Sequence, residues 1–194
     1  DAIAWVLAAA ADEFDIKAIT TVAGNQTLAK VTYNALRICA LLGLNVPVSR
    51  GRAVPIMSDL FVAPSFHGES GLDGPKLPEP AFEECKLSSV ELMAKVLRES
   101  DTPVTIIATG PQTNVAALLV AHPELKEKIG HISIMGGGFR NGNWTAAAEF
   151  NIIEDPESAA IEFQAGVPLT VCGLDVTEKA IVTPNDREKV RAVG

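Results

Sequence analysis

The sequence lacks the features that mark several broad classes of protein. Its longest apolar run, residues 2 to 11, is about half the length that a membrane-crossing helix needs. Basic residues are scattered and the formal net charge is −8, which argues against a nucleic-acid-binding face of clustered lysine and arginine. The three cysteines, Cys39, Cys85 and Cys172, are far apart and show no CxxC spacing. They favour buried thiols in a reducing compartment, the cytoplasm, over a disulfide framework or a zinc site.

Several catalytic and phosphate-binding motifs are also missing. No GxxxxGK[ST] phosphate loop occurs, and MGGGFRNG at 135 to 142 does not match the dinucleotide fingerprint. Neither HExxH nor GxSxG is present. The glycine run at 136 to 138 therefore does not predict a phosphate cradle.

Helix and strand patterns alternate along the chain. We predict strands at 15–23, 45–51, 103–110, 131–136 and 167–175, and helices at 2–12, 28–43, 88–100, 112–122, 155–166 and from Thr183 onward. Residues 51 to 84 are rich in proline and glycine and have no clear period, so we expect a long loop there. Mostly apolar strands alternating with helices predict an α/β fold, with an open, mostly parallel sheet covered by helices on both faces.

The ends of the chain bear on its domain organisation. The first helical pattern starts at Asp1 with no preceding strand, and the last stops at Gly194. We therefore expect residues 1–194 to form a single α/β domain that is incomplete at both ends.

Polar groups collect where the predicted strands end, and ligands of parallel sheets bind outside those carboxyl ends. Four junctions fit this description: 23–25, 108–114, 135–138 and 173–175. The segment GGGFRNGNWTAAAEFN, residues 136 to 151, lies at the same edge. It brings amides and one carboxylate, which are groups that read hydroxyls. A sugar with vicinal hydroxyls suits the set Asn25, His67, Asn143, Glu149 and Asn151, and in extended backbone Glu149 and Asn151 would share a face.

Four blocks of the sequence resemble one enzyme family. AGNQT at 23–27, HGESGLDGP at 67–75, TGPQTN at 109–114 and MGGGFRNGNWTAAAEFNIIEDPESAA at 135–160 are similar to the inosine–uridine-preferring nucleoside hydrolases. The resemblance covers essentially the whole chain. It implies an open α/β fold and hydrolysis of the N-glycosidic bond of ribonucleosides to ribose and free base. It also implies a bound Ca²⁺ that positions a water and the ribose hydroxyls, a nucleoside as the small-molecule partner, and a homodimer or homotetramer.

The resemblance also implies roles for individual residues. The implied metal ligands are Asp1 and the backbone carbonyl of Thr109; the implied substrate-binding residues are Asn25, Asn143, Glu149 and Asn151 for ribose, Met135 for the pocket wall and His67 near the base. The family's strand with the earlier aspartates, including its general base, has no match here, and neither does its C-terminal histidine-bearing segment. No catalytic residue is therefore certain in the chain, and His67 is the one candidate.

Other interpretations stay open. The chain fits a ribose- or nucleoside-binding module without turnover and, more distantly, a sugar-phosphate enzyme of another α/β family. Asp155 reads as a helix N-cap, His122 and His131 as structural residues, and Asp73 and Asp175 as turn or strand-end residues. Trp144 and Phe150 either line the pocket or only pack. The HGESGLDGP loop leans toward members that accept pyrimidines, but base preference and oligomeric state are not fixed by the sequence.

Overall fold

The computed structural model describes residues 2 to 193. Asp1, an expected metal ligand, lies outside the described residues. The helices are α1 (Ala2–Ala10), α2 (Leu28–Leu42), α3 (Pro64–His67), α4 (Ser89–Glu99), α5 (Thr113–Ala121), α6 (Phe150–Glu154), α7 (Pro156–Phe163), α8 (Leu174–Thr177) and α9 (Pro184–Val193), with a 3₁₀ helix at Pro123–Lys128. The strands are β1 (Ile19–Thr21), β2 (Val48–Arg50), β3 (Val104–Ala108), β4 (Ile129–Met135) and β5 (Leu169–Cys172).

Every strand pair within residues 2–193 is parallel. Strand β1 pairs with β2, and β3, β4 and β5 form a second sheet in that order. Each pair is connected through at least one helix, because a parallel pair needs a long crossover. This alternation and the open sheets agree with the predicted α/β architecture.

The larger core lies between β3, β4 and the helices α4 and α5. Side chains alternate along β4, so Ile132 and Ile134 are fully buried while His131 and Ser133 are half-buried. Leu97 of α4 and Leu118 of α5 belong to the same buried cluster. The smaller core joins α2 to β2, with Ala35, Leu36, Cys39 and Val48 buried together. On the opposite face of the three-stranded sheet, the described chain leaves Thr105, Ile107 and Thr170 exposed.

Three predicted helix ends, those fixed by a capping residue next to them in sequence, are confirmed. Helix α2 ends at Gly43 in a left-handed conformation (φ 65°), which glycine adopts without steric cost. Ser88 and Glu91 form a reciprocal capping box at the start of α4, and Asp155 caps α7 through the Ser158 amide. The short helices α3, α6 and α8 were not predicted. Strand β1 has three residues, and the flanking residues of the predicted 15–23 strand are not part of it.

Candidate functional site

Asn151 connects the carboxyl ends of two strands. Its side-chain nitrogen donates to the carbonyl oxygens of Met135 (3.0 Å) and Thr109 (3.3 Å), and it lies 3.3 Å from the Met135 sulfur. Met135 is the last residue of β4, and Thr109 follows the last residue of β3. The two carbonyls together use both hydrogens of the side-chain amide. Asn151 is only 6% exposed, so water has little access to these bonds. One side chain therefore fixes the spacing of the two strand ends.

Glu149 is buried beside Asn151 and begins helix α6. Its Oε2 accepts hydrogen bonds from the backbone N–H of Gly137 (2.9 Å) and of Ile152 (3.2 Å). The second bond is an N-cap, so the carboxylate both starts the helix and holds the glycine run after β4. Its other oxygen makes no hydrogen bond among residues 2–193. The expectation that Glu149 and Asn151 share a face in extended backbone is wrong, because the helix starts between them.

Asn143 sits in a loop, residues 139 to 148, that folds back on itself. The loop, here called the rim loop, is closed by hydrogen bonds from the Gly142 N–H to the Ala146 carbonyl (3.1 Å) and from the Asn143 N–H to the Ala148 carbonyl (3.1 Å). The Asn143 side-chain oxygen accepts from the Phe150 N–H at 2.8 Å. Its amide nitrogen has no protein partner within the described chain, so it is available to a ligand.

Asn25 lies on the same side of the molecule. A Cβ at the preceding Gly24 would lie 2.8 Å from Pro111 and 3.9 Å from the Phe150 ring, so this turn packs directly against the Glu149–Asn151 segment. The Asn25 carbonyl accepts from the Ala63 N–H at 3.1 Å, which places the start of helix α3 beside it. His67 ends that four-residue helix and is exposed, although the protein atoms around its ring remove enough water to lower the pKa of the imidazole.

Three aromatic rings pack together next to these residues. Phe61 stacks on Trp144 with ring centroids 5.1 Å apart, and both rings make edge contacts with Phe150 at 5.6 and 5.2 Å. Trp144 stays 40% exposed, whereas Phe150 is 7% exposed. Trp144 and Phe150 therefore pack on each other and on Phe61. Phe61 was not predicted, because it lies in the aperiodic 51–84 segment.

The described residues do not form a complete metal site. Thr109 is half-buried directly after β3, and its carbonyl accepts from Asn151. Between Ala2 and Val193, no group of three or more His, Cys, Asp or Glu side chains could hold a metal ion. Calcium takes six to eight oxygen ligands, and one carbonyl falls far short of that number.

Further polar residues bind segments of the chain together. Asn114 of α5 donates to the Thr21 carbonyl at the end of β1 (2.9 Å) and accepts from the Arg52 N–H after β2 (2.9 Å), so it fixes α5 to the ends of these two strands. Asp175 accepts from the Phe139 N–H at 2.6 Å and so holds the start of the rim loop. Asp73 closes a turn by accepting from the Glu69 and Ser70 amides, in line with its expected turn role.

Two buried acidic residues make contacts that the sequence did not predict. Asp155 was expected only to cap a helix, and Glu154 was not singled out. Asp155 and Glu154 are both 0% exposed. Asp155 accepts from the Thr113 hydroxyl (2.6 Å) and the Ile56 N–H (3.1 Å), besides capping α7. Glu154 accepts from the Phe61 N–H (3.3 Å), and burial raises the pKa of its carboxyl to about 7. The sequence EDP carries no signal for these contacts, since Thr113, Ile56 and Phe61 are 42, 99 and 93 residues from their acceptors.

The two histidines expected to be structural lie away from this cluster. His122 contacts Arg98 and Glu124 on the surface, and His131 bonds the Thr170 hydroxyl at 2.9 Å. Within residues 2–193, no helix combines the length and apolar character needed to cross a membrane.

An open parallel α/β fold with buried amide and carboxylate side chains at its strand ends is the arrangement of a nucleoside hydrolase. The chain belongs to the inosine-uridine preferring nucleoside hydrolase family, whose sequence model matches residues 1–194. The family and fold predictions are thereby confirmed.

Individual relatives extend this comparison. The chain is 60% identical over 195 residues to the pyrimidine-specific ribonucleoside hydrolase RihA of Citrobacter koseri, covering 100% of this chain and 62% of that protein. Among solved structures, it superposes on the purine-preferring ribonucleoside hydrolase from Gardnerella vaginalis with a TM-score of 0.90 at 33% identity, covering 98% of this chain and 62% of that one. The plant nucleoside hydrolase PpNRh1 gives 0.85 at 34% identity, with coverage of 92% and 57%. The chain thus spans less than two thirds of the length of these relatives.

Proposed function

We propose that the protein containing this chain hydrolyses the N-glycosidic bond of ribonucleosides, releasing ribose and a free base. The observation that carries the proposal is the buried Glu149–Asn151 pair, held at the ends of β3 and β4 beside Asn143. The names of the relatives, all ribonucleoside or nucleoside hydrolases, support the same reaction.

The side chains suit recognition of a ribose diol. The second oxygen of Glu149 can accept from one sugar hydroxyl, and the Asn143 amide nitrogen can donate to another. Both side chains are fixed by hydrogen bonds to backbone, so binding requires little reordering. Glycosidic cleavage passes through an oxocarbenium-like transition state, and a sugar held rigidly near that geometry reacts faster.

Calcium remains a prediction. We infer that a divalent ion completes the site near the Thr109 carbonyl, with Asp1 as a second ligand, because family members are expected to use one. The described residues alone do not provide the ligand set, so the remaining oxygens must come from elsewhere. Metal analysis of the purified full-length protein, before and after chelation, measures this directly.

Pyrimidine ribonucleosides are the proposed preferred substrates. The relative at 60% identity is pyrimidine-specific, whereas the purine-preferring enzyme from Gardnerella vaginalis is 33% identical. We further propose that residues 1–194 belong to one domain, that the protein forms a homodimer or homotetramer, and that it is cytoplasmic. The last point is supported by three free cysteines. Cys39 is buried as expected, whereas Cys85 and Cys172 are only half-buried.

The test is release of ribose from uridine, cytidine and inosine by the full-length gene product that contains this chain. Glu149→Gln keeps an acceptor for the helix cap but removes the charge, and should lower kcat/KM about 10- to 100-fold, as loss of a charged hydrogen bond does. Asn151→Ala should lower it at least as much, because the two strand ends lose their connection. Glu157→Gln, an exposed position on α7, serves as the control. Full activity in both site variants would refute the assignment.

The alternative is a nucleoside-binding module without turnover. Calorimetric binding of ribose by the full-length protein, with no ribose released from any nucleoside over hours, would support it. Turnover that depends on a divalent ion would exclude it.

A further inference from the structure

Residues 55 to 63, here called the anchored segment, have few apolar contacts of their own. Pro55 and Ala63 at its two ends are buried, but residues 56 to 59 are all exposed, including Ile56 at 41% and Met57 at 75%. Burial of apolar surface therefore does not explain how the middle of the segment is held. Polar contacts must contribute.

Those contacts converge on the junction of α6 and α7. The Ile56 N–H donates to Asp155 at 3.1 Å, and the Ser58 hydroxyl donates to the Glu154 carbonyl at 3.2 Å. The Phe61 N–H donates to the Glu154 carboxyl at 3.3 Å. Both acceptor side chains are completely buried, and hydrogen bonds in such surroundings are stronger than in water.

The junction is itself fixed on the protein interior. Asp155 accepts from the Thr113 hydroxyl at 2.6 Å and from the Ser158 amide at 3.0 Å, so it cannot follow the anchored segment if the segment moves. The second Glu154 oxygen is buried and has no hydrogen-bond partner within the described chain. An unpartnered buried polar atom costs stability.

The anchored segment reaches the candidate site at two points. Phe61 stacks on Trp144, which follows Asn143 in the rim loop, and touches Phe150, which separates Glu149 from Asn151. Two residues later, the Ala63 N–H donates to the Asn25 carbonyl. A displacement of the segment would therefore move the rings of Phe61 and Trp144, which lie beside the proposed ribose-binding residues. It would reach Asn25 only through that residue's backbone carbonyl.

We propose that Glu154 and Asp155 are positioning residues that hold the anchored segment, so that Phe61 keeps Trp144 in place beside the bound nucleoside. The inference rests on the proposed function for its kinetic consequence, but not for its structural one. Trp144 directly follows Asn143 and is 40% exposed, so it offers an aromatic face to a planar base attached to a ribose bound at Asn143. Free ribose has no base to make that contact.

The structural test follows Trp144 by fluorescence. Its emission is obtained in the full-length protein as the difference between variants with and without Trp144→Phe. Glu154→Met keeps the volume of the side chain and removes the acceptor, and should make Trp144 about twofold more accessible to acrylamide, because a stacked partner is lost. Glu154→Gln keeps an acceptor oxygen for the Phe61 N–H and should restore the native value. Glu157→Gln, which has no contact with the segment, is the matched control.

The kinetic test separates base contacts from ribose contacts. Glu154→Met should raise KM for uridine about 3- to 10-fold with kcat changed less than about twofold, as loss of uniform substrate binding does. The inhibition constant of free ribose should not change. Phe61→Leu leaves Glu154 intact and should give the same pattern, which covers the case in which a Glu154 variant fails to fold.

The outcomes of the two tests distinguish the positioning role of Glu154 from the proposed function. Unchanged Trp144 quenching in Glu154→Met overturns the proposal whether or not the protein hydrolyses nucleosides. Equal damage from Glu154→Gln and Glu154→Met also overturns it, because the acceptor would then be irrelevant. If no nucleoside is hydrolysed by the native protein, the proposed function fails while the fluorescence result still stands for or against the positioning role.

Discussion

At the scale of single residues, the candidate site depends on side chains that serve the backbone and the ligand together. Glu149 caps α6 with one oxygen and leaves the other unbonded within the described residues. Asn151 uses its amide to hold two strand ends. Mutations here therefore combine structural and functional effects, and variants must be chosen to separate them.

Asn151→Asp isolates the structural contribution of the amide. The substitution places an acceptor against the Met135 and Thr109 carbonyls in a 6% exposed position, which leaves buried groups without partners. We expect the free energy of unfolding to fall by about 1–3 kcal/mol. Urea unfolding monitored by circular dichroism measures the change, with Asn45→Asp at an exposed position as the control. Equal stability of the two variants would contradict the role assigned to Asn151.

At the scale of elements, the rim loop owes its shape to one glycine and to its own backbone hydrogen bonds. A Cβ at Gly142 would lie 2.3 Å from the Ala148 N and O atoms, which is closer than such atoms can approach. The loop can therefore fold this tightly only because position 142 has no side chain.

Gly142→Ala should open the rim loop and displace Asn143. The Asn143 side-chain oxygen accepts from the Phe150 N–H, so displacement of Asn143 breaks this hydrogen bond. The change should then disturb Glu149 and Asn151, which flank Phe150. We expect kcat/KM to fall at least about tenfold, since sugar positioning depends on this loop, while far-UV circular dichroism stays native. Ala146→Ser at an exposed position of the same loop should have no effect. Native kinetics in Gly142→Ala would show that the tight turn is dispensable.

At the scale of the whole molecule, buried carboxyl groups link the stability of the fold to pH. Glu162 of α7 is 1% exposed and neither of its oxygens has a hydrogen-bond partner within the described residues. Burial raises the pKa of Glu162 from 4.5 to about 8. Below pH 4.5 the carboxyl is protonated in both the folded and unfolded states. As the pH rises toward 8, only the folded state keeps the proton, so stability declines across that range and levels off above it.

Glu162→Gln should remove the part of the pH dependence of folding stability that comes from this carboxyl group. The variant should be more stable than the native protein at pH 9 by at most about 5 kcal/mol, because each pKa unit is worth about 1.36 kcal/mol, and the difference should shrink toward pH 5. Urea unfolding at both pH values measures it, with Glu157→Gln as the exposed control on the same helix. A stability difference that is the same at pH 5 and pH 9 would contradict the raised pKa.

The sequence by itself determined the features that depend on neighbouring residues. The caps at Ser88, Gly43 and Asp155, the alternation of helix and strand, and the family to which the chain belongs are all carried by short stretches of sequence. Local hydrogen bonds and backbone preferences act within a few residues, so their effects can be predicted without a fold. The expected extended geometry at Glu149–Asn151 was wrong because a side-chain cap starts a helix there.

The tertiary structure alone decided which distant groups meet. Asn151 and Thr109 are 42 residues apart, Phe61 and Glu154 are 93 apart, and no pattern in the chain pairs them. Burial is likewise a property of the packed molecule. Glutamate in a helix is ordinarily exposed, so the raised pKa values of Glu154 and Glu162 could not be inferred from the sequence. Chain connectivity sets local geometry, whereas packing sets solvent exposure and long-range contacts, and the candidate site depends on both.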